Sequence, residues 1–208
     1  MALDPLPPSQ TAFLVIELQN DLVHPSLVGA KGLSGKLAEA VQSRGVLPRL
    51  AALLDRFRGA GVRVLYATKE RHPSIPLPAG PKIYRAAGKD PKLVAGTWGA
   101  QVVDDVKPQD GDVVIARYTS LDPSHGSELW SILTQLGTTT LVVAGISTTI
   151  AVEGTVRAAA NRGLRVVVVE DCCAVFPEEW HRFSADKVLP LIADVVPADE
   201  VAAALPGA

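Results

Sequence analysis

Cysteine is nearly absent: in 208 residues only Cys172 and Cys173 occur, side by side. Adjacent cysteines rarely bridge one another, so a disulfide scaffold is excluded. Their place after the apolar run VVVVED marks them as small core hydrophobes, a common use of free Cys. Aromatics make up 5% of the chain against 48% hydrophobic residues, which fits a Val/Leu/Ala core rather than a stacking surface. Charge excess is also missing, with 20 Lys and Arg against 22 Asp and Glu. That balance gives no electrostatic reason to expect nucleic acid or a membrane surface as partner. No apolar run approaches the roughly 20 residues that span a bilayer. The opening MALDPLPPSQ has neither a basic start nor an apolar h-region, so it is not read as a signal peptide. Residues 1–10 are expected to form a flexible tail, and the protein is expected to be cytoplasmic. Glu70-x-His72 has the spacing of two metal ligands, but the next histidine is His125 and no third ligand follows at a useful spacing. No metal or cofactor is expected.

What is present is a regular alternation. Ala12–Leu18, Val62–Thr68, Asp112–Ala116, Thr140–Ala144 and Leu164–Glu170 are short and rich in β-branched residues, and read as strands buried on both faces. Asp194–Val196 is a short sixth. Between them, Val46–Ala60, Ser127–Leu136 and Thr148–Asn161 have helical spacing. Glu178–Ile192 is a further helix, with Pro190 disturbing its last turn. The pattern predicts one α/β domain over residues 11–208. It is a three-layer α/β/α sandwich around a doubly wound, mainly parallel sheet of about six strands. Sites in such sheets gather at the carboxyl ends of the strands. That rule selects Glu17–Asp21, Lys69–His72, Arg117–Ser127 and Ile146–Ala151.

Within these loops, Glu17 interrupts the apolar run FLVIEL. Burial raises a carboxyl group's proton affinity and suits it to general acid or base work; the alternative is a salt-bridged or capping carboxylate. Asn20 and Asp21 are placed as orienting the loop that follows. Arg117 ends VVIAR and can hold a substrate carboxylate, pair with Glu17, or lie solvated. His125 donates to a ligand or caps the helix after it, and Ser124 and Ser127 are caps. In LVVAGISTTIAVEGTVR a strand breaks at Gly145 and a helix begins near Thr148. The unpartnered N–H groups of that helix mouth, with the helix dipole, favour an anion or a developing oxyanion. Ser147, Thr148 and Thr149 are the hydroxyls nearest to it, whereas Ile150 and Ala151 are inert.

Three blocks, TAFLVIELQNDLV, GTWGAQVVDDVKPQDGDVVIARYTS and GSELWSILTQLGTTTLVVAGISTTIAVEGTVRAAANRGLRVVVVEDCCA, resemble in order the isochorismatase-like hydrolases, or cysteine hydrolases. The likeness runs from about Thr11 to Phe176. Amidases of that family use an Asp–Lys–Cys set. By this resemblance the Asp position is Glu17, followed by the motif's Gln19, Asn20 and Asp21. The Lys position falls at Arg117, with Ala116 and Tyr118 as its neighbouring alternatives. The Cys position is Ala151, which closes the acyl-enzyme route there. Isochorismatases proper also lack the cysteine: an acid protonates a vinyl ether and water captures the cation. The resemblance thus implies a hydrolase of small molecules without a nucleophilic cysteine. Glu17 is its acid–base group, Arg117 a carboxylate holder, and Gln19, His125, Ser147 and Thr148 line the substrate, with the Ser147 and Ala151 N–H groups in an anion pocket. It also implies a cis Ile146–Ser147 bond and a homodimer or homotetramer, with Trp98, Trp130 and Trp180 as contact or core residues. An inactive ligand-binding or assembly relative, and an isomerase or lyase reusing the pocket, are the other readings. The Ser74–Lys92 loop is assigned to specificity.

Overall fold

A computed structural model describes residues 2–87 and 92–207. Six strands, β1 (Thr11–Ile16), β2 (Arg63–Lys69), β3 (Val113–Arg117), β4 (Thr140–Ile146), β5 (Arg165–Ala174) and β6 (Asp194–Val196), form one sheet in the order β3-β2-β1-β4-β5-β6, every pair parallel. Helices α1 (Asn20–Val23), α2 (Leu33–Ser43), α3 (Val46–Gly59), α4 (Lys82–Ala87), α5 (Leu129–Gln135), α6 (Glu153–Ala160), α7 (Glu178–Phe183) and α8 (Ala198–Ala203) connect them.

Period-two alternation sorts the sheet's side chains into two cores. Phe13 and Val15 of β1 join Val142 and Ala144 of β4 beneath α2, α3 and α8, where Leu50, Leu53, Leu54 and Phe57 form one helical stripe. Ala12, Leu14 and Ile16 point the other way, with Leu141 and Val143, against Leu129 and Leu133 of α5 and Val156 and Ala159 of α6. The sheet order reverses between β1 and β4, so the crevice for a ligand lies where those two strands end.

Four sequence expectations change. β3 is an edge strand with Val113 and Val114 exposed, so it is not buried on both faces. β5 continues through Cys172–Ala174 after a bulge, because Val143 pairs with Val168 but Gly145 with Cys173. The bulge inverts the alternation and turns Glu170 toward α7. The helix after Pro177 gives way at Phe183 to wider and tighter turns ending at Leu191. The opening residues are docked: Leu6 is fully buried, its N–H bonds Ala204 O at 2.9 Å, and it packs into the α3–α8 core. An apolar side chain that finds a core site offsets the ordering cost of its short segment. No helix among the described residues is long and apolar enough to cross a membrane.

Candidate active site at the β1–β4 switch point

Glu17 follows the last residue of β1 with φ 54°, a left-handed conformation uncommon for a side-chain-bearing residue. Its N–H bonds Ala67 O at 3.0 Å and its carbonyl accepts from Gln19 N at 2.8 Å, which turns the chain sharply off the sheet. The carboxylate meets Arg117 Nη2, and the two side chains are 13% and 4% exposed. Two of the readings left open in the sequence are thereby one fact: Glu17 is paired, and Arg117 is its partner. The salt-bridged reading of Glu17 is the one found, with the guanidinium supplying the opposite charge. Its residual exposure still leaves Glu17 reachable from solvent.

Arg117 is anchored by Nε on Ser120 O at 3.2 Å and by Nη2 on Leu121 O at 3.3 Å. Burial is the largest influence on it and lowers its pKa to about 10, against an opposing pull from Asp122. Beside it in register stands Lys69, the last residue of β2. Lys69 is 9% exposed, and Nζ donates to Tyr84 Oη and, at 3.0 Å, to Ser120 O. Burial, then the nearby Arg71 charge, lowers its pKa to about 8. Sequence reasoning selected the segments that hold Lys69 and Tyr84 but singled out neither side chain as a site residue. The signal was a charge closing an apolar strand, the same one that marked Glu17, hidden by the charged run KERH.

Gln19 is fully buried: Nε2 donates to Lys69 O at 2.8 Å and Ala100 O at 2.6 Å, while Oε1 accepts from Lys69 N at 2.8 Å. That side chain clamps the β1 and β2 ends together and is engaged with backbone rather than turned to a ligand. Asn20 and Asp21 also tie loops, to Trp98 O at 2.9 Å and Leu93 N at 2.6 Å. His125 is exposed on the turn after Asp122. Ser124 Oγ bonds Asp122 Oδ1 at 2.7 Å, and Ser127 Oγ bonds Pro123 O at 2.8 Å. His72 spends Nδ1 on the Ser74 N–H at 3.2 Å. The Ser74–Lys92 segment, expected to set specificity, contributes α4, and its residues 88–91 lie outside the described residues.

Register places the second half of the site next to Glu17, since Ile16 pairs with Gly145. The Ile146–Ser147 bond is cis. Ser147 O then accepts from Ile150 N and Val152 N, both at 3.2 Å, in a widened first turn that runs from Thr148 to Val152 before α6. Turns of this width are frequent at functional sites. Ser147 is half-buried, while Ala151 is 2% exposed and packs with Leu14, Ile16 and Val152. Thr148 is fully buried and its hydroxyl lies 2.9 Å from His181 Nδ1, whose Nε2 lies 3.3 Å from Glu170 Oε2. Glu170 as acceptor fixes the Nε2–H tautomer, so Nδ1 accepts the Thr148 proton. Arg44 closes the chain, binding Glu170 Oε2 at 2.9 Å and Glu178 Oε1 at 2.8 Å.

Burial, then Arg44, pushes His181 below the ordinary histidine pKa, against Glu170 and Glu178. A folded pKa below the unfolded one means the neutral ring's contribution is complete above about pH 6.5 and fades as pH falls through the lowered value. Thermal melts of the wild type are therefore expected to fall on acidification below that point, and those of His181→Gln to fall less. Equal acid dependence in the two would remove His181 as the cause. Neither thiol enters the site: both are fully buried, and burial pushes Cys173 up to about 12 and Cys172 higher still.

Fold and site together define a doubly wound α/β protein whose charged cluster sits at the sheet's switch point. The profile of the isochorismatase domain matches residues 11–200. Ureidoacrylate amidohydrolase RutB of Agrobacterium fabrum is 28% identical over 80% of this chain and 76% of its own length. The enzyme of the same name from Caulobacter segnis is 31% identical over 74% and 67%. Among solved structures, N-carbamoylsarcosine amidase from Thermoplasma acidophilum superposes with a TM-score of 0.70 at 26% identity, covering 91% of this chain and 97% of its own. A cysteine hydrolase from Pseudomonas syringae pv. phaseolicola, at 20% identity, shares the fold with a TM-score of 0.81 over 99% and 96%. The chain belongs to the isochorismatase family, as the resemblance of its motifs implied.

Proposed function

We propose that this chain hydrolyses a small molecule without a cysteine nucleophile, using Glu17 as its acid–base group and the Ser147–Ala151 turn as its anion pocket. The observation that carries the reading is the Glu17 carboxylate itself. It is fixed by Arg117 at the switch point yet 13% exposed. In the charged form Glu17 removes a proton from water as the water attacks, then returns it to the leaving group. The oxyanion formed on an amide substrate develops opposite the N–H groups of the helix mouth. The amidohydrolase relatives make small amides and ureido acids the first substrates to test, with vinyl ethers second. The methyl group of Ala151 at the position the resemblance gives to the nucleophile favours a second reading, a ligand-binding relative that performs no chemistry. A screen of both substrate groups, with Glu17→Gln as control, separates the two; no turnover in the entire screen would favour the second.

Self-association belongs to the same reading. Trp180 and Phe183 on α7 are 53% and 65% exposed, large apolar groups left in water at one face. The expected result is a dimer or tetramer mass by light scattering, shifted toward the monomer by Trp180→Glu. A monomeric wild type would discard it.

A further inference from the structure

The ends of β2 and β3 hold two buried cations, and among the described residues Glu17 is the one carboxylate in contact with either. Ser120 O accepts from both, Lys69 Nζ at 3.0 Å and Arg117 Nε at 3.2 Å, so the charged groups converge on one residue. Two further polar atoms of this cluster, Arg117 Nη1 and Ser120 Oγ, are buried without any hydrogen-bond partner. A buried donor left unmade is costly, and two of them beside an incompletely neutralised charge call for an anion. We infer that Lys69, Arg117 and Ser120 form a subsite for the carboxylate of the substrate, with Tyr84 as the side chain displaced on entry. The inference rests on the small-molecule reading above and narrows it to carboxylic acids. A carboxylate offers two oxygens to this set: one for Arg117 Nη1, the other for Ser120 Oγ and Lys69 Nζ. Tyr84 lies over Lys69, its ring centre 4.2 Å from Nζ.

Charge state supplies a handle. The titratable and charged groups around the subsite are Glu17 just after β1, Arg71 beyond β2, Tyr84 on α4, Arg117 on β3 and Asp122 after it. Lys69, with its pKa near 8, is cationic below that value and neutral above it. Tyr84, pushed up to about 12 by burial, and Arg117, at about 10, keep their protons through this window. Anion affinity therefore falls as pH rises through Lys69's pKa.

The experiment is calorimetric titration of the full chain with acrylate, acrylamide and inorganic phosphate at about pH 7 and about pH 9. Acrylate is expected to bind at least about ten-fold more tightly than acrylamide, and to weaken about ten-fold both at the higher pH and in Lys69→Met. That variant leaves no new orphan, because Ser120 O keeps Arg117 and Tyr84 keeps Thr119 O at 3.4 Å. A wild-type melting temperature certifies it as folded. Lys69→Met affinity within about two-fold of wild type would overturn the inference, as would phosphate binding without acrylate binding. Glu17→Gln keeps the two readings apart. If it loses turnover while Lys69→Met still binds acrylate normally, the subsite fails and the hydrolase stands. If it keeps turnover while Lys69→Met loses acrylate, the acid–base role fails and the subsite stands.

Discussion

Glu17→Gln lowers kcat about 10²- to 10⁴-fold on whichever substrate the screen yields, a loss of roughly 3–5 kcal/mol of transition-state stabilisation. Gln keeps the shape of the side chain and an oxygen for Arg117 Nη2, so the ion pair becomes a hydrogen bond without opening a cavity. What disappears is the capacity to take a proton. Glu17→Asp is the companion variant: it restores the carboxylate one methylene shorter and is expected to recover more than a tenth of the rate. Recovery by Asp and not by Gln assigns the effect to proton transfer rather than to folding. Iodoacetamide is expected to leave the rate unchanged, because Cys172 and Cys173 are fully buried with their thiols held protonated. Undiminished turnover in Glu17→Gln removes the residue from the mechanism. Rapid inactivation by alkylation would move the chemistry to a thiol.

How much of this was legible in the sequence depends on how local the cause was. β1 and β4 were plain because every residue is buried, and a run that must be apolar on both sides leaves no ambiguity. β3 was found for the same composition, yet its exposure was misread, since Val113 and Val114 at a sheet edge look like Val in a centre. α2 went unseen: LSGKLAEAVQS places small residues where it packs closely, so its apolar stripe is faint. Glu17 and Arg117 could be singled out because a charge at the close of an apolar strand must find a partner. That each is the other's partner is a fact of register across three strands. The Thr148–His181 contact joins residues 33 apart through a bulge in a third element, and no spacing rule reaches it. Gln19 shows the opposite failure, a polar residue in a motif whose amide is used to hold two strand ends rather than a substrate.

The largest effect on stability is expected from Gly145→Ala. Gly145 has φ 120°, a conformation that side chains rarely adopt, and a Cβ there would stand 2.2 Å from Ile16 O, 2.8 Å from Ile16 N and 2.9 Å from its carbonyl carbon. All three atoms are backbone of Ile16, the last residue of β1, which is paired to Ala67 of β2 on one side and Gly145 of β4 on the other, so they cannot rotate away. Relief requires parting the strands at the switch point, next to Glu17. The cost therefore exceeds the usual range for single substitutions, about 4–5 kcal/mol or more, with a fall in melting temperature of at least about 10 °C or failure to accumulate in soluble form. Gly61→Ala is the control: its φ of 76° is also positive, but nothing lies within 4 Å of the added carbon. It should cost only the left-handed backbone penalty, about 1–2 kcal/mol. Equal losses in the two variants would show that φ alone governs both positions. A loss confined to Gly145 would show that close contact between β1 and β4 is what requires glycine there, and that the same contact holds the Glu17 turn beside the mouth of the Thr148 helix.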